Sequence, residues 1–333
     1  MSGLERPIFV VGCPRSGTTL VQCILSASSH AFSLPETHFF SHVLPAIGAA
    51  PETVVGDGEI RMAREAFETE AELTLPASFW AELEARSGVA AGDARESLRA
   101  VDICLALVEH YRPAGGEGLR VIEKTPRHVL HLDTIARAFP DALFINVVRD
   151  PIDVASSLLG VPFESSRSML AYAQRWSESI QAALAFARQH PHRLQTVVYE
   201  TLVREPEAAV RELCTFVGLP YETAMLEEFG REAGRNVGRG EAWKRDVKSG
   251  VIVNRTGVWR TRMTPGQAWL VAQATRYQRR DFGYVDRPVA SPSSIVAAVV
   301  KEAGVRFREA RPASGVVGAA RHAGSVLRTL SAA

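Results

Sequence analysis

The stretch from Pro7 to Leu25, PIFVVGCPRSGTTLVQCIL, constrains the fold more than any other part of the chain. After Pro7, residues Ile8 to Val11 form a short apolar run of the kind that makes a strand covered on both faces. Gly12 ends the run. Ser16, Gly17, Thr18 and Thr19 then open a helix, and Leu20, Val21, Ile24 and Leu25 fall on one side of it. A helix N-terminus presents N–H groups without intrahelical acceptors and the positive end of the helix dipole, so it attracts anions. Arg15 and the hydroxyls of Ser16, Thr18 and Thr19 add a cation and further donors at the same place.

The spacing nearly matches the nucleotide P-loop, G-x-x-x-x-G-K-[ST]. Gly12 and Gly17 are in register, and Thr19 stands where Mg²⁺ would be held. Thr18, however, occupies the lysine position. That lysine reaches the β- and γ-phosphates, so its replacement argues against an ordinary kinase or NTPase. The cation comes earlier, at Arg15. A plain strand–turn–helix without a ligand would have to crowd glycine, arginine and three hydroxyls into one turn for no purpose.

Other strand ends carry residues of similar chemistry. Phe32 to Leu34 reads as a short strand or extended turn, since Pro35 keeps the residue before it extended. Glu36 follows. It is a candidate general base for a hydroxyl proton, or else the cap of a helix starting near Thr37; His38 is the next candidate base. Residues 45–117 read as helical, with charged helices over Glu59–Glu72 and Pro76–Ser87 and a more amphipathic one over Arg95–Tyr111. An insertion there lies near the carboxyl ends of the strands, so it is expected to be an acceptor-site wall or lid, or a passive cap.

Leu119–Ile122 predicts a second core strand, and Lys124 comes straight off its end. A lysine there points into the ligand crevice, or sits in a solvated loop. Pro126 suits the first position of the next helix, on which His128 reads as a surface histidine. Ala142–Val148 predicts a third core strand, running into RDPIDVASSLL. Arg149 at its end and Ser157 about two helical turns along can hold one phosphate from two sides, unless Arg149 only pairs with Asp150 or Asp153. Ser168–Gln189 predicts a long helix and Leu194–Val198 a fourth core strand. Tyr199 at that strand's end is either a ring near a bound base or an interfacial tyrosine. Glu207–Val217 predicts a helix ended by Gly218. Residues 230–250 read as irregular, and the basic segment NRTGVWR precedes a helix starting near Pro265.

Together, PRSGTT (14–19), PET (35–37), EKTP (123–126) and RDPIDVASS (149–157) resemble the motifs of sulfotransferases that use PAPS (3′-phosphoadenosine 5′-phosphosulfate), in their bacterial and tyrosylprotein forms. The resemblance spans Pro7 to about Tyr284. With the alternation of strands and helices it implies a three-layer α/β fold: a mainly parallel sheet with helices on both faces, in P-loop-like order. Residues 1–286 would be the sulfotransferase domain and 287–333 a helical tail. The resemblance also assigns roles. Arg15, Ser16, Gly17, Thr18 and Thr19 would hold the 5′-phosphosulfate, and Arg149 and Ser157 the 3′-phosphate. Tyr199 would lie near the adenine. Thr256, Gly257, Trp259 and Arg260 match in outline a segment that closes over the nucleotide. Glu36 would be the base, with Lys124 and Arg15 stabilising the transferred group. The implied reaction is in-line displacement by an acceptor hydroxyl, leaving PAP, and since arginine and lysine supply the positive charge no metal is expected. The acceptor could be a small molecule, a glycan or a lipid. A P-loop kinase or NTPase, and a non-catalytic nucleotide-binding protein, are the alternatives.

The 333 residues, 46% apolar and 23% charged, fit a soluble globular protein, and a net charge of +1 gives no general case for binding nucleic acid or membrane. Cys13, Cys23, Cys104 and Cys214 are scattered without a C-x-x-C pair, so neither disulfides nor zinc are expected and a reducing cytoplasm is. The first strand comes so early in the chain that neither a leader nor a transmembrane stretch is expected before it. Helices are predicted at Ser293–Glu309 and Ser314–Leu330, the second with an apolar seam of Val316, Ala320, Ala323, Leu327 and Leu330. From Pro288 onward the tail carries six Lys or Arg against two Glu. It is expected to pack on the body or to join two copies as a homodimer, and otherwise to touch an anionic membrane surface.

Overall fold

The computed structural model describes residues 5–71, 73–87, 97–161, 166–236 and 249–309; the helix expected over Ser314–Leu330 lies outside them. In chain order, β1 (Ile8–Gly12) leads to α1 (Thr18–Ser26) and β2 (Ala31–Ser33). Four helices precede the next strand: α2 (Leu44–Ala46), α3 (Asp57–Thr69), α4 (Ala77–Ser87) and α5 (Ala100–Tyr111). Then come β3 (Arg120–Glu123), α6 (Leu132–Ala138), β4 (Leu143–Val148), α7 (Pro151–Leu159), α8 (Met169–Gln189) and β5 (Leu194–Val198). The remaining helices among the described residues are α9 (Tyr199–Arg204), α10 (Pro206–Val217), α11 (Ala224–Glu227), α12 (Phe229–Asn236), α13 (Trp259–Arg262), α14 (Pro265–Ala274) and α15 (Pro292–Glu309).

The five strands form one sheet in the order β2-β3-β1-β4-β5, every pair parallel. β1 is central and pairs with β4 along its whole length, from Ile8 opposite Leu143 to Gly12 opposite Val147. Side chains alternate along a strand, so one apolar run serves both faces. Phe9, Val11 and Phe144 pack with α3, α4, α5 and Phe186 of α8 on one face. Ile8, Val10, Ile145 and Val147 pack with α1, α9 and α10 on the other. Residues of α7, α8 and α14 form a third cluster around Trp176 and Tyr172. The expected three-layer arrangement is therefore present, and its sheet is parallel throughout.

Several boundaries shift for local reasons. α5 begins at Ala100, not Arg95, because the Asp102 carboxylate accepts the Arg99 N–H at 2.7 Å and caps the helix there. The segment after Lys124 is first a 3₁₀ turn, Pro126–His131, and only then α6. This turn places His128 in the interior, fully buried, and not on a helix surface as expected of a histidine there. Part of the stretch read as irregular is helical, namely α12. α15 packs on α14 so closely that a Cβ on Gly266 would lie 2.1 Å from the Ser294 carbonyl oxygen. Buried Glu302 of α15 accepts the Met169 N–H at 2.8 Å and so caps α8.

Phe144 sits at the centre of the sheet, fully buried, with the rings of Phe9 and Phe186 at 5.7 and 5.0 Å between centroids. Phe144→Ala is expected to lower the unfolding free energy by about 3–5 kcal/mol. Chemical denaturation reads this as a lower midpoint with an unchanged slope.

Candidate active site

An all-parallel sheet brings the carboxyl ends of its strands to one edge, where ligands bind in open α/β folds. Each strand end here carries a residue singled out above. The Gly12–Gly17 loop follows β1, Glu36 lies three residues past β2, and Lys124, Arg149 and Tyr199 directly follow β3, β4 and β5. At about 4.8 Å per strand, the edge from β2 to β5 spans about 19 Å.

The loop after β1 has the backbone its sequence demands. Gly12 and Gly17 have φ of 145° and 105°. A Cβ on Gly12 would lie 2.5 Å from the Val147 carbonyl oxygen, and one on Gly17 would lie 2.6 Å from the Tyr199 ring. Arg15 also has a positive φ, 74°. Leu20 and Val21 N–H both converge on the Gly17 carbonyl, and no side chain caps α1. The first amides of the helix thus lack an intrahelical acceptor. Ser16 and Thr18 are buried, and the Ser16 hydroxyl has no protein partner. A buried hydroxyl without a partner is costly, and an anion seated in the loop would satisfy it.

The loop and the end of β4 form one cluster. Arg15 Nε donates to Ser157 Oγ at 3.1 Å. Arg149 donates from Nη1 to the Arg15 carbonyl at 3.3 Å and from Nη2 to the Arg255 carbonyl at 2.6 Å. Its guanidinium lies 4.6 Å from the Tyr199 ring centroid, and its buried Nε has no partner. Ion pairing of Arg149 with its neighbours is not found. Asp150 accepts the Ile152 N–H at 2.7 Å as the cap of α7, and Asp153 accepts the amides of Gly257 at 2.6 Å and Trp259 at 3.0 Å. Asp153 thereby fastens the 254–260 segment to α7. In that segment Thr256 is exposed, and Arg260 lies over Trp259 at 4.5 Å and reaches Asp286 at 3.8 Å.

Four residues of this region carried no clear sequence signal. Arg255 contributes its carbonyl one position before the expected Thr256. Glu200 accepts the Asp150 N–H at 3.1 Å and the Tyr284 hydroxyl at 2.6 Å. Arg279, buried, lies 3.6 Å from Asp150. With Thr256 and Trp259, the residues Asp150, Glu200, Arg279 and Tyr284 line a cavity of about 180 Å³. Burial pushes the Asp150 carboxyl up to about 6.

On the other side of β1, Lys124 donates to Glu36 in an ion pair; the lysine side chain is fully buried and the glutamate 24% exposed. Glu36 does not cap a helix. The next element is a π-helical turn, Phe39–Val43, preceded by His38 with φ of 50°. His38 Nε2 is 3.6 Å from Glu36, too far for a hydrogen bond. Burial above all, with the neighbouring imidazoles of His128 and His42, lowers the His38 pKa to about 4 against the opposing pull of Glu36 and Glu123. Beneath this pair Glu123 is fully buried. Burial would raise its pKa, but the His128 ring and the Thr125 and Thr37 hydroxyls outweigh it and hold the carboxyl below its ordinary value.

Residues 7–223, more than half of the chain, match the model of the sulfotransferase family. The chain belongs to that family. It is 26% identical over 262 residues to protein-tyrosine sulfotransferase 1 of Danio rerio, covering 76% of this chain and 65% of the relative. It is 27% identical over 265 residues to an uncharacterized protein of Aquifex aeolicus, covering 77% of this chain but only 30% of that one. The chain thus spans less than two thirds of the length of either relative. The sulfotransferase domain of the Synechococcus PCC 7002 olefin synthase superposes with a TM-score of 0.59 at 23% identity, over 85% of this chain and 97% of that domain, which shows a common fold. Among the described residues no helix is long and apolar enough to cross a membrane, and no group of three or more His, Cys, Asp or Glu is placed to hold a metal.

The depressed His38 pKa has a measurable consequence. The unfolded chain binds the proton near 6.5 and the folded chain near 4, so His38 costs stability as pH falls between those values. His131, lowered to about 4 chiefly by burial, acts in the same sense. His38→Asn, which tolerates a positive φ, should therefore show a smaller loss of urea midpoint from pH 7 to pH 4.5 than the wild type. Equal losses would mean that His38 titrates normally in the fold.

Proposed function

We propose that this chain transfers the sulfuryl group of PAPS to an acceptor hydroxyl. The observation that carries the reading is the joining of two anion sites: Arg15, on the loop that cradles a terminal phosphate, touches Ser157, and its carbonyl accepts from Arg149. A ligand satisfying both must carry phosphates at two ends, as a 3′,5′-bisphosphorylated nucleoside does. The orphaned Ser16 hydroxyl and Arg149 Nε are donors such a ligand would fill. Thr18 at the P-loop lysine position speaks against triphosphate chemistry.

The residues divide the work. The amides opening α1, with Arg15, Ser16, Gly17, Thr18 and Thr19, would hold the 5′ end. Arg149 and Ser157 would hold the 3′-phosphate, under the segment that Asp153 fastens down. Tyr199, packed between Gly17 and Arg149, would border the nucleoside. When bound, PAPS supplies the sulfuryl group and a bisphosphate leaving group for in-line displacement. Glu36, partly open to solvent, takes the proton of the acceptor hydroxyl. His38, neutral and weakly basic, leaves that task to Glu36. Lys124 and Arg15 place positive charge where negative charge builds on the departing oxygens, in a site partly closed to water. The helices of residues 45–117 would wall the acceptor side. The zebrafish relative is named for tyrosine residues in proteins, so a tyrosyl peptide is a natural first probe beside sugars, lipids and phenols.

Glu36→Gln and Lys124→Ala are each expected to lower turnover by about 100-fold or more while leaving PAP affinity largely intact. Labelled PAPS with a cell extract, read by mass spectrometry for sulfated products, measures the first, and calorimetry with PAP the second. Retained turnover in both variants would remove these roles. The two-site reading has its own check. Arg149→Ala should weaken PAP on the order of 10- to 100-fold, and adenosine 5′-phosphosulfate, which has no 3′-phosphate, far less. Thermal shifts with PAP but none with ADP–Mg²⁺ would separate this chain from a kinase.

A further inference from the structure

Glu36 and Lys124 are 88 positions apart in the chain, and nothing regular holds the glutamate. β2 ends at Ser33 and the π-turn begins at Phe39, so Glu36 lies on a link with neither ladder nor helix. What fixes that link lies under it. The Glu123 carboxylate accepts three donors: Thr37 Oγ1 at 2.9 Å, Thr125 Oγ1 at 2.7 Å and His128 Nδ1 at 3.0 Å. Thr125 Oγ1 in turn accepts the His38 N–H at 3.2 Å. The Phe40 N–H donates to His128 Nε2 at 3.2 Å. Glu123, Thr37, Thr125 and His128 are all buried.

These bonds also settle the histidine's state. A backbone N–H can only donate, so Nε2 carries no proton and Nδ1 does. His128 therefore bridges the two segments, with Nδ1 on Glu123 and Nε2 on the Phe40 amide of the turn that follows Glu36. All the bonds across it join residues 37–40, directly after Glu36, to residues 123–128, which bracket Lys124.

We propose that the buried Glu123–His128 couple, with Thr37 and Thr125, positions the Glu36 carboxylate against Lys124. The inference rests on the reading of Glu36 as base and Lys124 as charge stabiliser. The couple touches no reacting atom; it is a positioning group. Strand alternation turns Glu123 away from Lys124, so one strand end presents the lysine to the site and anchors the opposing turn from behind.

His128→Phe keeps the ring's shape and removes both polar atoms, and Thr37→Val removes one donor to Glu123. In both, kcat for sulfuryl transfer from PAPS is expected to fall tenfold or more, toward the order of 10²-fold that a 1 Å misplacement costs. PAP affinity stays unchanged, and crystal structures show Glu36 drawn away from Lys124. Should His128→Phe not fold, Thr37→Val carries the test. Unchanged kcat overturns the proposal. A loss of kcat matched by an equal loss of PAP affinity also overturns it, because that marks general damage to the site. If the wild-type protein transfers no sulfuryl group to any acceptor, it is the reaction assignment that fails. The crystal structures then decide the positioning role alone, and Glu36 still seated on Lys124 in the variants overturns it.

Discussion

The pairing of β1 with β4 fixes the position of everything that could hold a nucleotide. Gly12 is still inside this ladder, opposite Val147, and has no room for a side chain against the Val147 carbonyl. The loop after it therefore starts level with the end of β4, and Arg149 emerges only two residues beyond Val147. That is why Arg15 can reach Ser157 and why its carbonyl can accept from Arg149. A slip of one residue in this register would turn Phe9 and Val11 to the wrong layer and separate the two sites at once.

The electrostatics of that cluster follow from where the nearby carboxylates are used. Asp153 accepts two amides of the 254–260 segment, Asp150 caps α7, and Glu200 holds Tyr284 and the Asp150 amide. None of the three meets Arg149, whose acceptors are two backbone carbonyls. A buried guanidinium that meets no carboxylate among the described residues is poorly compensated by them. The acids of RDPIDVASS thus build the frame, and on the reading proposed here the positive charge of Arg149 would be left to an incoming anion.

The sheet and the phosphate loop were legible because parallel strands covered on both faces read as unbroken apolar runs, and Leu194–Val198 falls where its run does. Residues at strand ends could be named for the same reason. What could not be read were contacts made across the chain. Arg15 and Ser157 are 142 positions apart, and no local pattern announces their hydrogen bond. His128 was misplaced because a histidine after a strand end reads as a polar helix-surface residue, whereas the 3₁₀ turn and the Glu123 carboxylate hold it inside. Arg260 matched a motif in outline, but its contacts with Trp259 and Asp286 carry no signal in the sequence. The capping of α8 by Glu302 is equally invisible, since it needs α15 to lie alongside.

The ion pair at the end of β3 links the two halves of the proposed chemistry. A fully buried ammonium without a partner costs several kcal/mol, so Glu36 is the counter-ion of Lys124 before it is anything else. On the reading proposed here, Glu36 is neutralised when it takes the acceptor proton. Lys124 then loses its counter-ion as negative charge builds on the departing group, beside the loop of the neighbouring strand. The lysine's attraction passes from the carboxylate to the leaving group without any change in its burial. Proton removal and charge stabilisation are in this way two aspects of one ion pair, and its geometry has to be held from outside the pair, by residues that take no part in the reaction.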